Sequence, residues 1–311
     1  MSGPDARQPD HHFVGDVPTL EDPVLVVMLT GWIDASGAAA AAMSALEKEC
    51  DALPLISFDD DTYIDYRARR PTLELRDGVS TRLVWAAPEV RHGRDGEGRD
   101  VLLLSGPEPD MAWHRFAGTV ADLAGDLGVT RMAALGAYPF ATPHTRPPLL
   151  SATSPSGPLL AGLPFRTSSI DLPAGMAAAL EQSVHAKGIP ALTIWSQVPH
   201  YVASMSYPAA SVALLDGLTT ATGITIGGGE LRRESLLQRE RLDQLVEGNE
   251  EHRAMVAQFE RLYDAAEEAA AGEDGTTSAH DGAEVGEIEL RSGDELAAEV
   301  ERFLRDQGGK G

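Results

Sequence analysis

Five short, mostly apolar runs limit what this chain can fold into: Val24–Leu29, Leu55–Phe58, Val101–Leu104, Ala133–Tyr138 and Ile189–Trp195. Each is four to seven residues long and stops near Gly, Pro, Ser or Asp. Continuous apolar runs of this length read as strands buried on both faces. Helical patterns separate them. Ala38–Glu49 is rich in small residues, with Ser36 or Asp34 before it as a cap. Trp113, Phe116, Val120 and Leu123 share one helix face, and Ala174–Lys187 is stopped by Gly188. Strands alternating with helices predict an α/β sheet covered on both faces. Pro71–Arg76, Asp77-Gly78 and Val79–Trp85 read as a hairpin, which makes the expected sheet mixed. Phe165–Ile170 is a further expected strand. The fold class is thus α/β, a three-layer sandwich with a mixed central sheet and a C-terminal helical arm.

The arm is expected after Gly227-Gly228-Gly229, where the sequence becomes highly charged. Leu237, Leu242 and Leu245, then Met255, Val256, Phe259 and Leu262, recur at spacings of three and four. The predicted organisation is an α/β core at 17–228 and a helical arm at 229–270 bent at Gly248. A flexible acidic linker at 271–288 and a terminal helix at 289–307 follow. Leu242, Leu245, Phe259 and Leu262 are the candidate partner-binding positions, unless the stripe packs on the chain's own core or a sister subunit.

The 311 residues carry a net charge of −23. From Asp264 to Gly311 there are 14 acidic and 4 basic residues. Nucleic acid and anionic membranes select basic faces, so neither is an expected partner. The single cysteine, Cys50, forms no intramolecular disulfide and fits a reducing, cytoplasmic setting. It has no basic neighbour and reads as a structural thiol. The first 16 residues are polar, with no apolar segment of the signal-peptide kind.

Ligands of open α/β sheets sit outside the carboxyl ends of the strands. Two Pro-His turns follow strands at such ends: Thr142-Pro143-His144-Thr145-Arg146 and Val198-Pro199-His200-Tyr201. Asp34, Glu108, Asp59 and Asp60 are the carboxylates expected on the same rim. His144 and His200, with Asp34 and Glu108, are therefore the candidate catalytic groups. Gly31, Trp32, Asp34, Gly106, Glu108, Thr145, Arg146 and Tyr201 are the candidate ligand rim. The alternative is that each imidazole only fixes its loop. Asp59-Asp60-Asp61 is a candidate divalent-cation site, since such ions take several carboxylate oxygens, or a solvated loop. No P-loop, dinucleotide fingerprint, nucleophile elbow or zinc motif is present in the sequence, and no cofactor is identifiable.

Several motifs in fixed order resemble one family. They are Leu29-Thr30-Gly31-Trp32-Ile33-Asp34-Ala35, Ile64-Asp65-Tyr66-Arg67-Ala68-Arg69-Arg70-Pro71, Gly106-Pro107-Glu108-Pro109-Asp110 with Trp113, and the two Pro-His turns. Together with Ser292–Leu304 they resemble the actinobacterial branch of the proteasome assembly chaperone 2 family. The resemblance implies a nucleoside-phosphorylase-like fold without phosphorylase chemistry, and a homo-oligomer, with a trimeric ring favoured. Relatives in other lineages assemble or bind proteasomes, some through a hydrophobic-Tyr-any C-terminal tail. This chain ends Arg305-Asp306-Gln307-Gly308-Gly309-Lys310-Gly311. Three readings stand: a non-enzymatic assembly factor or scaffold, a protein that binds or converts a small nucleoside-like ligand at the rim, and a divalent metal held on an oligomer axis.

Overall fold

The computed structural model describes residues 10–272. The expected linker at 271–288 lies almost wholly, and the terminal helix at 289–307 entirely, outside the described residues. In chain order the elements are β1 (His11–Phe13), β2 (Val24–Thr30), α1 (Ala38–Glu49), β3 (Leu53–Phe58), α2 (Asp60–Tyr63), β4 (Thr72–Arg76) and β5 (Val79–Val84). Then come β6 (Glu89–Arg94), β7 (Asp100–Pro107), α3 (Trp113–Asp126), β8 (Arg131–Phe140), β9 (Leu150–Thr153) and α4 (Gly157–Ala161). The chain continues through α5 (Met176–Ala186), β10 (Ala191–Pro199), α6 (Pro208–Thr222), α7 (Gly229–Glu247) and α8 (Glu250–Gly272).

Eight strands form one mixed sheet in the order β1-β3-β6-β7-β2-β8-β10-β9. β7, β2, β8 and β10 are parallel neighbours. β6 runs against both β3 and β7, so β3 has the same direction as the parallel set. The carboxyl ends of β3, β7, β2, β8 and β10 consequently lie along one edge. Four of them run past the expected stops, to Thr30, Pro107, Phe140 and Pro199.

The mixed character has a different source from the one expected. β4 and β5 form a hairpin, but as a separate two-stranded sheet. The antiparallel members of the main sheet are β1, β6 and β9. β6 (Glu-Val-Arg-His-Gly-Arg) hides in the sequence because Val90 is its only large apolar side chain. The strand expected at Phe165–Ile170 is absent. Arg166 makes a single bridge to Ser151, Phe165 packs on the core, and residues 167–172 are exposed.

Two apolar layers sandwich the sheet. Val27, Leu102, Leu104, Met132 and Ala134 meet Phe116, Val120, Leu180 and Val184 of α3 and α5. Val26, Leu103, Ala133 and Ile194 meet Met43, Leu46, Leu214 and Leu218 of α1 and α6. Alternate residues of the same strands thus face opposite layers. Cys50 is buried in the second layer, and that burial pushes its thiol up to about 12.

The chain divides into two units, Met1–Ala266 and Glu267–Gly311. α7 and most of α8 lie in the first, with the sheet. The backbone N–H groups of Gly227 and Gly228 both donate to the Glu49 carboxylate at 2.8 Å, which ties the start of α7 to the end of α1. The turn between α7 and α8 falls at Gly248-Asn249, and Asn249 Oδ1 accepts from the N–H groups of Glu251 and His252. No described helix is long and apolar enough to cross a membrane.

Candidate functional site

Each Pro-His turn closes a parallel strand, and the two strands are neighbours. β8 and β10 run in register from Met132↔Ala191 to Phe140↔Pro199, so the turns emerge side by side. After Pro199 the chain makes a 3-10 turn at His200–Val202. That turn also holds the segment after β2. Ser36 N–H donates to Ala203 O at 2.8 Å, and Ser36 Oγ donates to Val202 O at 3.1 Å.

Tyr201 joins the turns. The His144 backbone N–H donates to Tyr201 Oη at 2.8 Å, and His144 Nδ1 lies 2.7 Å from the same oxygen. The Asp243 carboxylate of α7 only accepts, so Nε2 carries the ring hydrogen and donates to Asp243 Oδ1 at 3.3 Å, and in the neutral ring Nδ1 accepts from Tyr201 Oη. His144 is only 4% exposed. Burial lowers its pKa, outweighing the upward pull of Asp243. The Tyr201 hydroxyl is pushed up to about 12 by burial. The result is a neutral imidazole with both ring nitrogens occupied.

The arm closes over this pair. Thr145 Oγ1 donates to Glu260 at 2.5 Å. The Arg146 guanidinium grips both carboxylate oxygens of Asp264 at 2.8 Å and reaches Glu260 at 3.2 Å. Arg239 donates to Thr145 O at 2.9 Å. Residues 239–243 of α7 and 259–264 of α8 therefore meet the same turns, so the helix pair doubles back on itself. The Phe259 ring lies against the second turn's aromatics, edge-on to His200 and parallel to Tyr201. Leu242 is 6% exposed against Ala38, Ala137, Val198, Val202 and Tyr207.

Of the four candidate partner-binding positions, Leu242 and Phe259 thus pack on their own chain. Leu245 and Leu262 point outward, at 66% and 55% exposure. The sequence did not single out Asp243, Glu260 or Asp264 as partners of the turns. The available signal was spacing: Arg239/Asp243 and Glu260/Asp264 are both i,i+4 pairs, which share a helix face.

The remaining rim residues have other partners. Asp34 reaches Ala137 of β8 by an isolated bridge and caps α1, accepting from Ala39 and Ala40 N–H at 2.8 and 3.0 Å. Burial nevertheless raises its pKa. Glu108 accepts from Met176 N–H at 3.0 Å at the start of α5. Gly31, at φ +126°, lies under Glu108 and Arg69, where a Cβ would come within 2.9 Å of both. Gly106, at φ +121°, passes equally close to the backbone of Ala87 and Pro88. Trp32 covers Gly175 and stays 40% exposed. His200 is exposed. By their contacts these rim residues fall into two sets, one at Gly31, Trp32 and Glu108 and one at His144, Tyr201 and Arg146 under the arm.

Asp59, Asp60 and Asp61 open the short helix α2. Asp59 accepts from Thr62 Oγ1, and Asp60 accepts from Asp61 N–H at 3.1 Å. Among the described residues, no group of three or more His, Cys, Asp or Glu is placed to hold a metal ion.

Known proteins share this fold. No curated protein matches the chain. Solved structures do. A Mycobacterium tuberculosis protein of unknown function, Rv2714, is 31% identical with a TM-score of 0.77, over 88% of this chain and 95% of its own. A PAC2 family protein from Streptomyces avermitilis is 32% identical with a TM-score of 0.69, over 76% of this chain and 99% of its own. The Mycobacterium tuberculosis proteasome-assembly chaperone homologue Rv2125 is 31% identical with a TM-score of 0.70, over 76% and 99%. The PAC2 family model matches residues 28–246, from inside β2 to the last turn of α7. Both Pro-His turns and the helix that covers the first of them fall within that match, and the chain belongs to the PAC2 family.

Proposed function

We propose that the protein is a non-enzymatic assembly factor or interaction scaffold of the proteasome-assembly-chaperone kind, working as a homo-oligomer in the cytoplasm. One observation carries this reading. The titratable groups of the turn after β8 hold the chain's own helices: His144 is buried between Tyr201 and Asp243, and Arg146 is clamped by Glu260 and Asp264. A catalytic imidazole needs access to substrate, and these contacts occupy both nitrogens of His144. The 31% identity to a proteasome-assembly chaperone homologue supports the same class.

The test is assembly itself. Purified protein is mixed with proteasome α-type subunits of the same organism and followed by analytical ultracentrifugation. Co-sedimentation or faster ring formation is expected. Unchanged assembly with no co-sedimentation, by a protein of native circular dichroism, overturns the proposal. Light scattering tests the oligomer separately, against the chain mass of 33.0 kDa.

A further inference from the structure

One side of α7 carries an exposed stripe that is complementary to itself. Glu234, Leu237, Arg241 and Leu245 recur at spacings of three and four, so they share a helix face. All four are exposed, Leu237 at 54% and Leu245 at 66%. α7 rests on the protein through a different stripe, where Leu242 is buried and Gln238 donates to Ser206 O.

The two charges of the exposed stripe are unpaired. Other ions of α7 are committed: Glu230 to Lys48, Arg232 to Asp216 and Arg239 to Asp243. Glu234 and Arg241 have no ion-pair or hydrogen-bond partner for their side chains among the described residues. No residue three or four positions from either one carries the opposite charge, so the helix itself cannot neutralise them.

The spacing identifies the occupant. Leu237 stands three residues after Glu234 and four before Arg241. Two such helices laid antiparallel about a two-fold axis beside Leu237 bring Glu234 of each copy to Arg241 of the other. The two Leu237 side chains meet between these pairs. A parallel arrangement would set Glu234 against Glu234. Further out, Leu245 comes opposite Glu230, whose carboxylate Lys48 already holds, so the contact ends there.

We propose that this face of α7 docks on the same face of a second copy of the chain, antiparallel, with two reciprocal Glu234–Arg241 pairs around Leu237. This rests on the homo-oligomer reading above and adds that the chains associate in even number, because the same patch serves both sides.

Light scattering at high micromolar concentration tests it, at low ionic strength because exposed pairs are weak and screened by salt. The wild type is expected to show an even multiple of 33.0 kDa. Glu234→Arg and Arg241→Glu, each alone, set like charges together at both ends of the contact. Each is expected to halve that mass with unchanged far-UV circular dichroism, since both positions are exposed. Mixing the two single variants recreates opposite charges at both ends and is expected to restore the wild-type mass. The double variant Glu234→Arg/Arg241→Glu is expected to show that mass unmixed. Single variants that keep the wild-type mass overturn the α7 contact and leave the oligomer standing on other surfaces. Single variants of halved mass that neither mixing nor the double exchange restores overturn the reciprocal pairing. A wild type with an odd number of chains above one overturns the contact alone, and a single chain of 33.0 kDa overturns the contact and the homo-oligomer together.

Discussion

Tyr201 Oη sits 2.7 Å from His144 Nδ1 and 2.8 Å from His144 N, so one hydroxyl satisfies two atoms of a residue 57 positions away. It converts two separate strand-end turns into one surface, on which α7 and α8 rest. Tyr201→Phe keeps the ring and its packing on Phe259 but leaves a buried amide and a buried ring nitrogen unpaired. Leaving buried polar groups unsatisfied costs about 1–3 kcal/mol. Urea denaturation of the two proteins at pH 7.5 should show that loss. An unchanged midpoint would mean that water replaces the hydroxyl and that the turns are not joined through it.

The His144 imidazole also sets a pH dependence. Burial lowers its folded-state pKa below the ordinary value of about 6.5. The unfolded chain then takes up a proton that the folded chain refuses. Its contribution is fully present above about pH 6.5 and is lost as pH falls through that value toward the folded pKa. His11, lowered by burial and by His12, adds a slope of the same sign. Stability measured from pH 8 to 5 should fall with acid, and His144→Gln should reduce that fall. Asp95 and Asp100 act elsewhere. Burial would raise them, but hydrogen bonds from Thr225, Arg99 and Glu97 to the one, and from Glu21, His92 and Arg94 to the other, hold both below the usual range. Their contribution persists above about pH 3.9 and is lost only in stronger acid.

What the sequence made legible, and what it hid, follows from where the information sits. Buried parallel strands announce themselves through continuous apolar runs, so the shared edge for His144 and His200 could be read directly. β6 could not, because its neighbours in the sheet supply the apolar contacts and it offers little beyond Val90. The arm's course was hidden for another reason. α7 is strongly charged, and its placement depends on Asp243 meeting an imidazole 99 residues earlier. Alternating charge describes a solvated helix equally well, and only the fold says which carboxylate faces inward.

The leucines of the arm separate two kinds of surface. Leu242 is enclosed by Val198, Val202 and Tyr207, so Leu242→Ala should cost about 2–5 kcal/mol. Leu245 and Leu262 are more than half exposed, and alanine at either should stay within about 0.5 kcal/mol of wild type. Thermal unfolding of the three single variants checks the division. A large loss at Leu245 or Leu262 would show a cover on that face in the native assembly. A negligible loss at Leu242 would mean that the arm is detached in solution.

Two glycines give opposite signs for the same substitution. Gly93 in β6 passes so close to the end of α1 that a Cβ would lie 2.3 Å from Cys50 O and 2.8 Å from Cys50 Cβ. The first of these is backbone, held in place by Arg94 N–H donating to the same Cys50 O at 3.1 Å. No rotamer change relieves the clash, so β6 or the end of α1 must shift. Overpacking of this kind costs about 1–3 kcal/mol, and more where backbone is displaced. Gly118, inside α3, has nothing within 4 Å of its would-be Cβ. Alanine there removes freedom from the unfolded chain at no steric cost, worth about 0.4–1 kcal/mol in favour of the fold. Gly93→Ala should therefore lower the melting temperature and Gly118→Ala should raise it. A neutral Gly93→Ala would show that β6 and α1 are further apart than this packing requires.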